Sequence, residues 1–245
     1  MNEEKQQTGE LSLRSPFLKK LDNFFYHYKW HSIVALFLAV VMTVTLVQTC
    51  SKESFDVEIM YAGPKNLNDR QTVIDIENAF LGFASDQNKD GKVVVRLVSY
   101  WVDESYYGGE NKEMSGADVA YFANNAKKNE DAYHDEIMAG NLSICLVSPY
   151  LFYQVHKEGG FMRIDEMFPE LDESVYHVGE GGSVNHYAVR LGNTDLGKLP
   201  GLSTLPSDTI LCIRKPAYHL LNASRLKKQH ENSKEVFLNA LGYVK

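Results

Sequence analysis

A chain of 245 residues is long enough to bury a core as one or two domains, and 44% apolar, 11% aromatic and 23% charged residues with 7 prolines describe a folded chain, not a disordered or repetitive one. A formal charge of −7 excludes nucleic acid as a partner class, because neutralising a phosphate backbone takes concentrated Lys and Arg. Three cysteines, Cys50, Cys145 and Cys212, are too few and too far apart for a disulfide framework or a structural zinc site.

The first element is an apolar run. Between Lys29 and Lys52 lie 22 residues without a formal charge, and Ile33 to Val47 is broken only by Thr43 and Thr45. As a helix rising about 1.5 Å per residue, the run reaches roughly 33 Å, enough to cross a hydrocarbon core of about 30 Å. Arg14, Lys19, Lys20 and Lys29 precede it against Asp22 alone, whereas Lys52, Glu53 and Asp56 follow. The positive-inside rule then predicts 1–29 as a cytoplasmic leader, 30–51 as a transmembrane helix and 52–245 as an extracytoplasmic domain in a single-pass protein of the cell membrane. Phe24, Phe25, Tyr26, Tyr28 and Trp30 sit where amphipathic rings favour the headgroup layer. A cleaved signal peptide and a lipidated Cys50 compete with this reading, but the leader is long, and Val47-Gln48-Thr49-Cys50 suits neither a small-x-small cleavage site nor a lipid-attachment sequence. A buried helix of a soluble domain would show a polar face, which the run lacks.

Residues 1–51 carry a net charge of +1, which leaves −8 on the outer part. There, Phe55 to Ala62 alternates like a strand and stops at Gly63-Pro64. Asn68 and Asp69 are placed to cap a helix carrying Val73, Ile76, Phe80 and Phe83 at three- and four-residue spacing. Val93 to Val102 reads as a buried strand, Asp103 to Gly116 as a polar loop, Ala117 to Ala139 as a long helix stopped by Gly140, and Leu142 to Val147 as a third strand. A last strand over Thr209 to Ile213 precedes a helix from Ser224 to Leu241 that buries Val236, Phe237 and Leu241. Strands alternating with helices predict an α/β domain, a mainly parallel sheet with helices on both faces.

Several short patterns invite chemistry. Asp86 to Gly91 matches the first half of a calcium loop, yet the closing position is Leu97 instead of a bidentate Glu, so a helix-to-strand turn is the simpler reading. Gly179-Glu180-Gly181-Gly182-Ser183 lacks a P-loop lysine and reads as a hairpin loop. His27 and His31 stand four apart with Tyr28 where a zinc-protease helix carries Glu. Asp165, Glu166 and Glu180 form no acid/base pair of fixed separation, and no Gly-x-Ser-x-Gly elbow occurs. Cys145 and Cys212 fall in expected strands as small buried hydrophobes. The expectation is a protein without catalytic activity, cofactor or obligatory metal. Aromatic residues at strand ends, Tyr61, Trp101, Tyr106, Tyr107 and Tyr150, carry more information, since rings there serve as stacking platforms.

The order of elements, together with the segment Glu136 to Pro149, resembles a lobe of bacterial extracellular solute-binding proteins, in which a helix ends in an Ala-Gly-Asp-like turn, here Ala139-Gly140-Asn141, before a strand and a helix bearing an aromatic residue. Leu151 to Val155, Gly159 to Met167 and Tyr187 to Leu191 are similar to the segments that follow, and the likeness spans Phe55 to Lys245. The chain also resembles bacterial single-pass membrane proteins with a short leader and one such outer domain. A complete binding protein closes two lobes on its ligand, and this chain has room for little beyond one. The resemblance implies a solute-binding or sensing module for a small solute such as a sugar or peptide, or an assembly domain contacting a protein partner or forming a homodimer. Ligands of open α/β sheets sit at the carboxyl ends of the strands. That edge collects Tyr61, Gly63 and Pro64, then Trp101, then Ser148, Pro149 and Tyr150, with Tyr61, Gly63, Trp101, Ser148 and Tyr150 as expected ligand contacts.

Overall fold

The computed structural model describes residues 16–50, 55–87, 89–107, 116–139, 142–179, 182–216 and 223–242. The chain divides into two compact units, Met1–Glu53 and Ser54–Lys245.

The first unit carries helix α1, Pro16–Cys50, made of two helical pieces that meet at Tyr28, whose φ of −113° and ψ of 18° leave the helical region. The second piece contains Tyr28–Val47, 20 residues long and apolar enough to cross a membrane by length and composition. Its two threonines need no outside partner: the Thr43 and Thr45 hydroxyls each donate to the carbonyl four residues back, Ala39 and Val41, at 2.8 Å.

The second unit is an α/β domain around one six-stranded sheet. Its elements are β1 (Val57–Gly63), α2 (Arg70–Leu81), β2 (Val95–Trp101), α3 (Gly116–Ala139), β3 (Ile144–Val147), α4 (Pro149–His156), α5 (Ile164–Met167), β4 (Tyr176–Val178), β5 (Val184–Arg190), β6 (Ile210–Ile213) and α6 (Ala223–Ala240). The strand order is β2-β1-β3-β6-β5-β4. Pairing is parallel from β2 through β1 to β3 and antiparallel from β3 through β6 and β5 to β4. The expected sheet is therefore present but mixed, with β1, β2, β3 and β5 running one way and β4 and β6 against them. The parallel half needs helical crossovers, which α2 and α3 supply. β6 instead returns from a run of short turns and enters beside β3 from the opposite direction.

Strand alternation divides the core. Ile59, Tyr61, Ile144, Leu146, Leu211 and Ile213 pack with Ile76 and Phe80 of α2 and Val236 and Phe237 of α6 on one face. Met60, Ala62, Cys145, Val147, Ile210 and Cys212 pack with Tyr133 and Ile137 of α3 and Leu151, Phe152 and Val155 of α4 on the other. Two carboxylates, Asp56 buried and Asp69 exposed, tie loops to this frame. The Asp56 carboxylate accepts from the amides of Gln87 and Val94 at 2.8 Å each, and Asp69 caps α2 through the amides of Gln71 and Thr72, as its position before the helix predicts. Gly201, at φ 77°, lies so close to α2 that a Cβ would stand 2.7 Å from the Ile76 nitrogen.

Candidate functional site

β2 lies to one side of β1 and β3 to the other, while α2 and α4, which follow β1 and β3, cover opposite faces of the sheet. The chain therefore splays apart beyond the carboxyl ends of β1 and β3. A cavity of about 320 Å³ opens there, lined by Pro64, Asp103, Glu104, Ser148, Tyr150 and Asp208 among others. It adjoins a larger cavity of about 850 Å³, and Glu104, Pro149 and Tyr150 line both, which makes one groove of them.

One wall of the larger cavity is a single helix face. Ser148 caps α4, its Oγ accepting from the Leu151 amide at 3.4 Å, and Pro149 occupies the first turn. Leu151, Phe152 and Val155 turn inward, so Tyr150, Tyr153, His156 and Lys157 face the groove. The opposite wall is the β4–β5 hairpin, which contributes His177, Val178, Asn185, His186 and Tyr187. Its register slips between Tyr176 and His177: Tyr176 stands opposite Val189 but His177 opposite Asn185, so residues 186–188 bulge from β5. A bulge re-aims side chains. Here Tyr187 turns toward α4, its ring edge-on to His156 at 4.6 Å, and His186 toward Asp165, with Nδ1 3.6 Å from the carboxylate. Tyr153 bridges the walls, its hydroxyl 3.1 Å from His177 Nε2. Gly179 permits this approach, since a Cβ there would lie 2.8 Å from the Tyr153 hydroxyl.

The electrostatics follow from partial burial. Desolvation lowers the His156 pKa, as the imidazole stacks on Phe152 at 5.2 Å. His177 is lowered by desolvation and then by Arg190, with Asp208 opposing. Desolvation first, then Asp103 and Asp208, raises Glu104, and Tyr150 is raised by desolvation and then by Glu130. Burial thus draws the His156 and His177 imidazoles toward their neutral form and favours the protonated forms of Tyr150 and Glu104. Rings and hydroxyls of this kind are able to stack on and hydrogen-bond to a polar molecule.

The five expected ligand contacts separate. Ser148 and Tyr150 line the groove. Gly63 and Tyr61 do not: Tyr61 is buried in the core, its hydroxyl accepting from the Lys65 amide at 3.0 Å, and burial raises its pKa. Trp101, half-buried, packs edge-on against Tyr106 and Phe122, donates to the Pro64 carbonyl at 3.0 Å and lines neither cavity. Pro64 and Pro149, which share that edge, line the smaller cavity. The sequence pattern does not single out Tyr153, His156, His177 and Tyr187, because the hairpin that carries two of them has no strict alternation. Their signal in the sequence was the density of His and Tyr between residues 150 and 187.

The other patterns resolve locally. Asp86 spends its carboxylate on the amides of Lys89 and Gly91, at 2.6 and 2.9 Å, with Lys89 at φ 61° and Gly91 at φ 85°, as a helix-to-strand turn requires. Arg163 holds Asp165 in a two-point ion pair and reaches Glu166 at 3.3 Å, and the Arg163 bond is the leading cause of a lowered Asp165 pKa. β4 and β5 flank the glycine-rich loop, which the Gly179 amide closes by donating to Ser183 at 3.0 Å. Asn88, Gly140, Asn141, Glu180 and Gly181, and the His27 side chain, lie outside the described residues. Among the described residues no three His, Cys, Asp or Glu side chains gather as a metal site. The chain matches no protein-family model, no curated protein and no solved structure.

Proposed function

We infer that this chain is a membrane-anchored, non-enzymatic solute-binding or sensing module, with the N-terminus cytoplasmic, a single span within Tyr28–Val47 and the α/β domain outside. The ligand occupies the groove between α4 and the β4–β5 hairpin. The observation that carries this reading is the groove itself. A cavity of about 850 Å³ is of the size that holds a small solute, and its walls bring three tyrosines and three histidines together around a bulged strand. The helix, strand and aromatic-bearing helix of the solute-binding resemblance correspond to α3, β3 and α4. A sugar or short peptide suits walls lined by rings and hydroxyls that stack and hydrogen-bond.

The test is a thermal melt of the full chain in detergent against a panel of sugars and short peptides, with its mass in solution measured alongside. A ligand that raises the melting temperature is expected to bind about tenfold or more weakly to Tyr153→Ala, which removes a ring from the groove and the partner of His177. A silent panel with a stable dimer overturns the binding reading in favour of an assembly domain.

Orientation is tested separately in intact cells. A cysteine at Asp135, whose side chain is 87% exposed on α3, is expected to react with an impermeant maleimide, and one at Gln7 to be protected. The reverse pattern inverts the topology.

A further inference from the structure

β3 and β6 meet at the seam where the sheet changes from parallel to antiparallel, and their register sets Cys145 directly opposite Cys212. Two positions along the same ladder the Arg214 amide donates to the Ser143 carbonyl at 2.9 Å. Alternation along an antiparallel ladder makes Cys145 and Cys212 a hydrogen-bonded pair too, with Cα atoms about 5.5 Å apart. That Cα separation falls inside the roughly 4.4–6.8 Å that a disulfide spans, whereas the Cβ atoms of such a pair stand about 4.5–5.5 Å apart and draw in to roughly 3.5–4.5 Å when the bond closes; both thiols are free in this structure. Both thiols point to the same face, fully buried in one cluster with Ile137 and Phe152, and Cys212 Sγ lies 3.8 Å from the Cys145 carbonyl oxygen.

We propose that Cys145 and Cys212 form a modification site, an intramolecular disulfide across β3 and β6 that closes as the chain folds in the presence of a disulfide oxidant. One cysteine thiolate attacks the oxidant's disulfide, giving a mixed disulfide and releasing one reduced thiol. The second cysteine attacks the mixed disulfide, closes the Cys145–Cys212 bond and releases the oxidant's other sulfur as a thiol. Two protein thiols are oxidised, one oxidant disulfide is reduced, and the two protons pass to the released thiols. The timing follows from burial, which pushes the Cys212 thiol well above the usual thiol range and keeps it un-ionised in the finished core. The exchange therefore precedes core closure. The bond straps the seam between the groove's two walls, since α4 follows β3 and β5 pairs with β6. That it forms in the cell rests on the extracytoplasmic placement proposed above.

The experiment uses the full chain with Cys50→Ser, reduced and denatured, then refolded in detergent with reduced and oxidised glutathione, alkylated and digested with trypsin. The expected product joins the peptide 129–157 to the peptide 199–214, at a mass two hydrogens below their sum. Its melting temperature falls when reductant is present during the melt, and this fall is absent in Cys145→Ala. Partial unfolding of the purified chain in urea with the same redox buffer gives the same readout without refolding from the fully denatured state. Two alkylated thiols in a chain with native circular dichroism overturn the proposal. The same trapping in intact cells separates the two readings: a pair that closes in glutathione but is alkylated from cells keeps the site and overturns the extracytoplasmic placement, whereas a pair oxidised in both supports both.

Discussion

Replacing Arg214 with methionine is expected to lower the unfolding free energy of the α/β domain by about 3–5 kcal/mol. Arg214 is the largest fully buried side chain among the described residues, and its guanidinium donates from Nε to the Leu142 carbonyl and from Nη1 to the Ile137 carbonyl. Ile137 stands in the last turn of α3, so the cation meets the negative end of that helix and closes one of its open carbonyls. Desolvation draws the Arg214 pKa down, yet a guanidinium stays charged near neutrality. Methionine keeps much of the volume and leaves both carbonyls without these donors, each costing about 1–3 kcal/mol. Lysine should give an intermediate loss, having one ammonium where the fork reaches two oxygens. Urea unfolding followed by circular dichroism measures it, and a loss below about 1 kcal/mol in Arg214→Met would refute this account of the helix end.

The second large effect is acid sensitivity. Burial, with Lys234 nearby, holds His230 at a pKa of about 4, whereas an unfolded chain takes up that proton near 6.5. Between those values the unfolded state binds more protons, so stability is complete above about pH 6.5 and drains away as pH falls toward 4. His156 and His177 are lowered in the same direction and add to the slope. The hydrogen-bonded carboxylates Asp69, Asp172 and Asp195 are lowered as well, but they lose their contribution only at still lower pH, below the ordinary carboxylate range. The melting temperature should therefore be level from pH 8 to 7 and fall between pH 6.5 and 4.5. His230→Leu should make that fall shallower, by up to about 1.4 kcal/mol per pH unit, the limit for one proton. An unchanged slope would exclude His230 as a source.

Local pattern made much of the fold readable. The spacing of Ile76 and Phe80 with Asp69 before them predicts α2, and dense apolar runs predict β1, β2, β3 and β6 to within about two residues. Pairing direction was harder to read. Four apolar residues, Ile210 to Ile213, look the same whether a strand runs with its neighbour or against it, and only the short-turned route from β5 to β6 decides. The candidate site divides along similar lines. Ser148 and Tyr150 follow from topology alone, since any open α/β sheet exposes the carboxyl ends of its strands. Which way Tyr61 and Trp101 turn depends on helices that pack over them. The bulge that aims Tyr187 depends on a pairing slip between strands that a linear pattern does not encode.

The seam between the two halves of the sheet also has a history in time. β1, β2 and β3 are complete once residue 147 has been made, but the strand that covers the free edge of β3 begins at Ile210. During synthesis from the N-terminus, Ile144 to Val147, all fully buried in the finished protein, wait as an open ladder for more than sixty residues of further chain. An unpaired apolar edge is a template for any other strand that reaches it first. Chains released before β6 emerges should thus cross-associate through β3.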